Sequence, residues 1–146
     1  MNYEKLAEEL FENMQKLHRT KPQKNITDSM QGEKMILRFL GDRKGEDVLP
    51  GDISEAFDIS SARVAAALNR LEDKGLIVRS IDPEDRRRFI VSLTDEGIAE
   101  TDKNAETMKK RVISLLKELG DEDAKDYVRL TGRVAQITEK NNCNGD

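Results

Sequence analysis

DPEDRRRFIVSLTDEG, residues 82–97, reads as a turn, a strand and a helix start in that order. Asp82-Pro83 opens the turn, because Asp bonds its own backbone and Pro presets the next backbone angle. Arg86, Arg87 and Arg88 follow. Phe89, Val91 and Leu93 then alternate with Arg88, Ile90 and Ser92, the period of a half-buried strand. Thr94 suits a helix N-cap, with Asp95 and Glu96 in the first turn where the helix dipole favours acids. An arginine-tipped hairpin arm therefore stands beside a helix, and exposed arginines on such an arm call for a negatively charged partner.

Upstream, Ser60 is positioned to cap a helix over Ser61 to Lys74, and Gly75 stands where a left-handed residue ends one. A short helix, Pro50 to Phe57, precedes it, with Ile53, Ala56 and Phe57 as its apolar side and the turn Asp58-Ile59-Ser60 after it. Pro50 suits the first helical turn. Two helices joined by a tight turn, the second running into a hairpin of Leu76–Ile81 and Phe89–Leu93, make a winged helix-turn-helix. The spacing D-x-R-x-x-x-V-x-L-T-x-x-G, carried by Asp85, Arg87, Val91, Leu93, Thr94 and Gly97, resembles the wing signature of the MarR (multiple antibiotic resistance regulator) family of bacterial transcription factors. The flanking elements match that family in kind and order over nearly the whole chain. At one point the pattern differs: the family usually has a polar capping residue before the short helix, and here Leu49 holds the place.

The other segments are helical. Leu6, Leu10, Met14 and Leu17 recur at spacings of four, four and three along Tyr3–His18, with Phe11 widening the stripe. Thr20–Asn25 reads as a polar linker. Thr27 or Asp28 is placed to cap a helix running to about Leu40, with Met30, Ile36, Leu37, Phe39 and Leu40 on its buried side. Gly32 within it costs about 1 kcal/mol relative to Ala, which suggests close packing there. After Thr94 a long helix extends to about Leu119, lined by Ile98, Ala105, Met108, Val112, Leu115, Leu116 and Leu119. Gly120 stops it and Asp121 caps a last helix in which Ala124, Tyr127, Leu130, Val134 and Ile137 repeat at threes and fours. The expected fold is mostly α with a small β-hairpin wing (α+β). Residues 26–97 form the winged lobe, residues 1–25 and 98–140 form N- and C-terminal dimerisation helices, and residues 141–146 form a disordered tail.

Composition narrows the function. The chain has 146 residues, 36% hydrophobic and 37% charged, which suits an elongated helical protein whose core a second copy completes. The net charge of −4 hides a split: between Ser60 and Ile90 seven basic residues face five acidic ones. The basic charge gathers where a DNA surface would lie. One cysteine, Cys143, excludes a disulfide within the chain, and one histidine, His18, leaves a metal centre without ligands. No stretch has the length of a membrane span and no signal-peptide core begins the chain, so a cytoplasmic location is expected. No Ser/His/Asp grouping, phosphate-cradling glycine loop or cofactor motif is present, and an enzyme is not expected.

On the helix Ser61–Lys74, Val64, Ala67, Leu68 and Leu71 share the core side. Ala62, Ala65, Ala66 and Asn69 take the opposite face, with Arg63 and Arg70 at its flanks. The N-terminal part of such a helix enters the major groove, which brings Ser61, Ala62, Arg63, Ala65 and Ala66 nearest the bases. Arg63 can contact guanine with two prongs, and the alanines can touch thymine methyls. Ser60 adds a possible phosphate donor to its capping role. The bland alternative for Arg63 and Arg70 is an ordinary solvated charge.

The resemblance implies more. It assigns Arg87 to the minor groove with Asp85 holding its guanidinium, consistent with the pull of a narrow A·T groove on arginine and with a carboxylate orienting the fork. Arg86 and Arg88 then meet phosphates or nothing. It implies a homodimer through the terminal helices, in which Leu6, Leu10, Met14, Leu130, Val134 and Ile137 pack, and a repressor of a pseudo-palindromic double-stranded DNA site. It also implies release by a small phenolic or anionic effector held between dimerisation helices and DNA-binding lobe. No residues for that effector stand out: His18 lines the cleft or, the favoured reading, sits on the surface near a helix end. Cys143 lacks a nearby cation to make it a redox sensor. The competing reading is a winged-helix module that binds protein through the same surface.

Overall fold

The computed structural model describes residues 1–19 and 24–143, with side chains described for all of these except 24–31. In order the elements are α1 (Tyr3–Arg19), α2 (Lys24–Asp42), α3 (Pro50–Phe57), α4 (Ser61–Asp73), β1 (Ile77–Ile81), β2 (Phe89–Leu93), α5 (Asp95–Leu119) and α6 (Asp121–Cys143). The architecture is mostly helical with a two-stranded antiparallel wing. Close contacts divide it into two units, Met1–Thr101 and Asp102–Asp146, with the boundary inside α5.

The core lies in the first unit. Ile36, Leu37, Phe39 and Leu40 from α2 meet Ile53 from α3, Val64, Ala67, Leu68 and Leu71 from α4, and Ile77 and Val91 from the hairpin. Burying each of the larger side chains contributes about 1.5–3 kcal/mol. The α4 positions share a face because they recur at threes and fours, and they are the four read from the sequence as its core side. Phe57 packs on Phe39 with ring centroids 5.6 Å apart. In the hairpin Ile77 pairs with Leu93, Arg79 with Val91 and Ile81 with Phe89. The Val91 N–H also donates to the Val48 carbonyl at 2.8 Å, tying the loop after α2 to the wing.

Several local expectations change. α2 begins at Lys24, so Thr27 and Asp28 lie inside its first turns and do not cap it. The side chain of Met30 and most of the expected Thr20–Asn25 linker lie outside the described residues. A Cβ added at Gly32 would meet nothing within 4 Å, so no close packing explains that glycine. Leu49 has no side-chain acceptor. Its N–H instead donates to the Asp52 carboxylate at 2.8 Å, and this holds the first turn of α3 from inside the helix. Ala56 is exposed. Phe89, expected on the half-buried face, is 49% exposed because the hairpin reaches beyond the core. Asp121 is the first residue of α6, not its cap, and that helix continues to Cys143, where a disordered tail was expected from residue 141. Residues 144–146 lie outside the described residues. No helix among the described residues is long and apolar enough to cross a membrane.

Candidate nucleic-acid interface

The turn into α4 is set by Asp58, the one described non-glycine residue with positive φ (49°). Its neighbours pin it: the Ser54 hydroxyl donates to the Ile59 carbonyl at 2.6 Å, and the Ile59 N–H donates to the Ser54 carbonyl at 3.2 Å. Ser60 then caps α4 as expected, its hydroxyl oxygen accepting from the Arg63 N–H at 3.2 Å. Ser61, Ala62, Arg63, Ala65, Ala66, Asn69 and Arg70 are all exposed. With its opposite face locked in the core, α4 can present only this small-residue surface outward.

The wing tip is a sequence of side-chain-supported turns. One Asp82 oxygen accepts from the Glu84 N–H, and one Asp85 oxygen from the Arg87 N–H, each at 3.0 Å. The Asp82 N–H donates to the Arg88 carbonyl at 3.0 Å and closes the loop. The second Asp85 oxygen lies 3.4 Å from the Arg88 guanidinium, with the second Asp82 oxygen at 3.9 Å. Asp85 thus grips the backbone of Arg87 and the side chain of Arg88. The expected grip on the Arg87 guanidinium is not made, and Arg88, expected to meet phosphate or nothing, is the paired arginine. The physical reason is local: a carboxylate two residues before an N–H in a tight turn reaches the backbone more readily than the side chain that points away from it.

The remaining cations divide in the same way. Arg70 Nε and Lys74 Nζ donate to opposite oxygens of Glu33, at 2.8 and 2.6 Å. Arg79 donates to Glu72 at 2.8 Å and to the Asn69 side-chain Oδ1 at 2.7 Å, bracing the wing against the exposed side of α4. Asn69 and Arg70, both expected at the DNA face, are therefore engaged within the fold. Of the seven cations between Ser60 and Ile90, only Arg63, Arg86 and Arg87 have no acidic partner among the described residues.

Glu33 was not anticipated. Its signal was present, because it sits three, four and seven residues before Ile36, Leu37 and Leu40, a carboxylate on an apolar stripe. Its side chain is 7% exposed. Burial pushes its carboxyl up, but hydrogen bonds from Lys74 and Arg70 and their charges outweigh this, and the net result lies below the usual carboxylate range. Glu72 is likewise held down, chiefly by its hydrogen bonds from Arg79.

Thr94 and Gly97 join three elements. The Thr94 hydroxyl donates to the Gly75 carbonyl at 2.6 Å and accepts from the Gly97 N–H at 3.0 Å, while the Thr94 N–H donates to the Leu76 carbonyl at 3.1 Å. A Cβ at Gly97 would collide with that same Leu76 oxygen, so only glycine allows α5 to start there. Cys143 and His18 are exposed.

A profile of the MarR family matches residues 25–88, from α2 to the wing tip. The HTH-type transcriptional repressor MdtR of Bacillus subtilis (strain 168) is 26% identical over 137 residues, covering 94% of this chain and 81% of that protein. The transcriptional regulator HosA of Escherichia coli O111:H- is 32% identical over 80 residues, 55% of this chain and 58% of HosA. Among solved structures, Bacillus subtilis YusO superimposes with a TM-score of 0.69 at 24% identity, covering 93% of this chain and 99% of that one. The S. aureus MepR–DNA complex superimposes with a TM-score of 0.54 at 18% identity, covering 92% and 97%. These two structures share the fold. Transcription regulators of this kind are not enzymes. With the winged-helix geometry and the Asp85-to-Gly97 signature in place, the match identifies residues 25–88 as a MarR-family domain, the kind found in DNA-binding transcriptional regulators.

Proposed function

We propose that this protein is a cytoplasmic, homodimeric repressor that binds a pseudo-palindromic operator through α4 and the wing, and that a small phenolic or anionic effector releases it. One observation carries the DNA reading: of the seven cations between Ser60 and Ile90, the three without an acidic partner among the described residues lie at the start of α4 (Arg63) and the tip of the wing (Arg86, Arg87). Elsewhere in this stretch positive charge is spent on internal carboxylates. Arg63 reads a guanine edge in the major groove, and Arg87, presented by the turn that Asp85 shapes, enters the minor groove. Arg86 meets phosphate, and Ser60–Ala66 carry the helix close to the bases.

The dimer is supported by α1 and α6. Leu6, Leu10 and Met14 on α1 are 48–60% exposed, and Leu130, Val134 and Ile137 on α6 are 49–62% exposed. Apolar stripes of this length favour burial against a second copy. Two-fold symmetry then sets half-sites about 10 bp apart.

Titrating the dimer onto duplex DNA from its own promoter region at several salt concentrations tests the reading. Affinity should fall steeply with salt, and Arg87→Ala should weaken binding at least tenfold while circular dichroism and dimer mass stay unchanged. No binding at low salt would leave a protein-interaction module as the better account.

A further inference from the structure

Arg63, Arg70 and Lys74 form one row along α4. Seven residues is about two helical turns, leaving Arg70 about 20° out of line with Arg63, and Lys74 follows one turn later. Such a row flanking a groove-reading face would ordinarily track phosphates. Here the rear two cations converge on the two oxygens of one carboxylate, Glu33 of α2, at 2.8 and 2.6 Å. That carboxylate is buried among core residues while both cations keep about half their side-chain surface exposed. Glu33 cannot turn away to water, whereas Arg70 and Lys74 can.

We propose that Glu33 is a positioning residue that limits sequence-independent DNA affinity: by holding Arg70 and Lys74 against α2 it keeps the two cations at the rear of α4 off the phosphate backbone. The inference rests on the DNA-binding reading of α4 and the wing. Phosphate contacts strengthen binding to every sequence equally, whereas base contacts discriminate. Withholding Arg70 and Lys74 from the backbone therefore lowers affinity for random duplex and for operator by the same factor and weakens the salt dependence of both. Removing the carboxylate's charge while keeping its shape should release the pair toward the DNA.

The test is a salt titration of binding to random-sequence duplex and to operator, with wild type, Glu33→Gln, the triple variant Glu33→Gln/Arg70→Gln/Lys74→Gln, and Glu46→Gln as a control making the same charge change in the loop after α2. Glu33→Gln should bind random duplex more tightly at low salt and steepen the slope of log K against log salt by up to about 1.8. That is about tenfold more affinity lost over a roughly fourfold rise in salt. The triple variant should return to the wild-type slope, and Glu46→Gln should never leave it. A wild-type slope for folded, dimeric Glu33→Gln overturns the proposal, as does a triple variant that stays steep or a control that steepens equally. Should Glu33→Gln fold poorly, Lys74→Gln in the wild-type background decides instead: an unchanged slope supports the clamp and a shallower one refutes it. Failure of the underlying reading looks different, because wild type itself would then show no salt-dependent binding.

Discussion

The helices of the winged lobe and those at the two ends of the chain carry the same apolar spacing, yet they end in opposite states. α4 buries Val64, Ala67, Leu68 and Leu71. α1 and α6, with stripes just as regular, bury no residue at all. The lobe is complete within one chain: its helices meet, its polar groups are braced by Glu33, Glu72 and Thr94, and its core closes over the hairpin. The apolar stripes of the end helices lie exposed. Amphipathic periodicity thus specifies that a face will be covered, not what covers it.

That contrast can be broken most directly by ending the chain at Gly120. Without α6 the protein should be monomeric or insoluble by light scattering after gel filtration, and a soluble dimer would show that the stripe of Leu130, Val134 and Ile137 has another purpose. A matched pair of truncations within side chains follows. Ile53→Ala, at a fully buried site, should lower unfolding stability by about 2–5 kcal/mol without changing the dimer Kd of folded protein. Val134→Ala should do the reverse, weakening the dimer by about 1 kcal/mol, roughly fivefold in Kd. Equal effects of the two on both readouts would erase the distinction.

Within the lobe, Arg63→Ala should cost about 1–3 kcal/mol of discrimination at one base position per half-site, read from binding to a panel of substituted operators. A uniform loss across the panel would make Arg63 a phosphate contact. The smallest effect concerns Glu33 and acid. Its folded pKa lies below the ordinary value of 4.5, so its contribution to stability is fully present above that value and is lost as pH falls through the folded one. Denaturation midpoints of Glu33→Gln should accordingly fall less than those of wild type on acidification below about pH 4.5, and parallel curves would deny the clamp a stabilising role.

The sequence makes the elements legible because their signals are local. Ser60 as a cap, Gly75 at φ 72° and Gly120 at φ 83° stand where their chemistry demands, and the core side of α4 follows from its period. What the sequence conceals is where charges go. Glu33 meets Arg70 and Lys74 across 37 and 41 residues, and no spacing rule links positions so far apart. Arg79, unassigned by the motif, takes the side-chain oxygen of Asn69, a residue the helical period had placed on the DNA face. Asp85 shows a finer limit: the motif pairs it with Arg87, but only the turn geometry decides that the bond is to the backbone N–H. Phe89 fails for a further reason, since strand alternation gives the face of a residue and not how far the core extends beneath it.

The contact at Gly97 bears on how mutants of this protein would be interpreted. A genetic screen for derepression would recover substitutions there readily, since even a methyl group collides with the Leu76 carbonyl. Such alleles, neighbouring the wing and abolishing operator occupancy, would cluster with true contact mutants and be scored among them. Yet Gly97 is buried at the start of α5, away from the exposed faces of α4 and the wing tip. Its alleles would be recessive failures of construction, separable from contact alleles by their lost thermal stability, whereas Arg87 alleles would leave a sound protein that cannot grip.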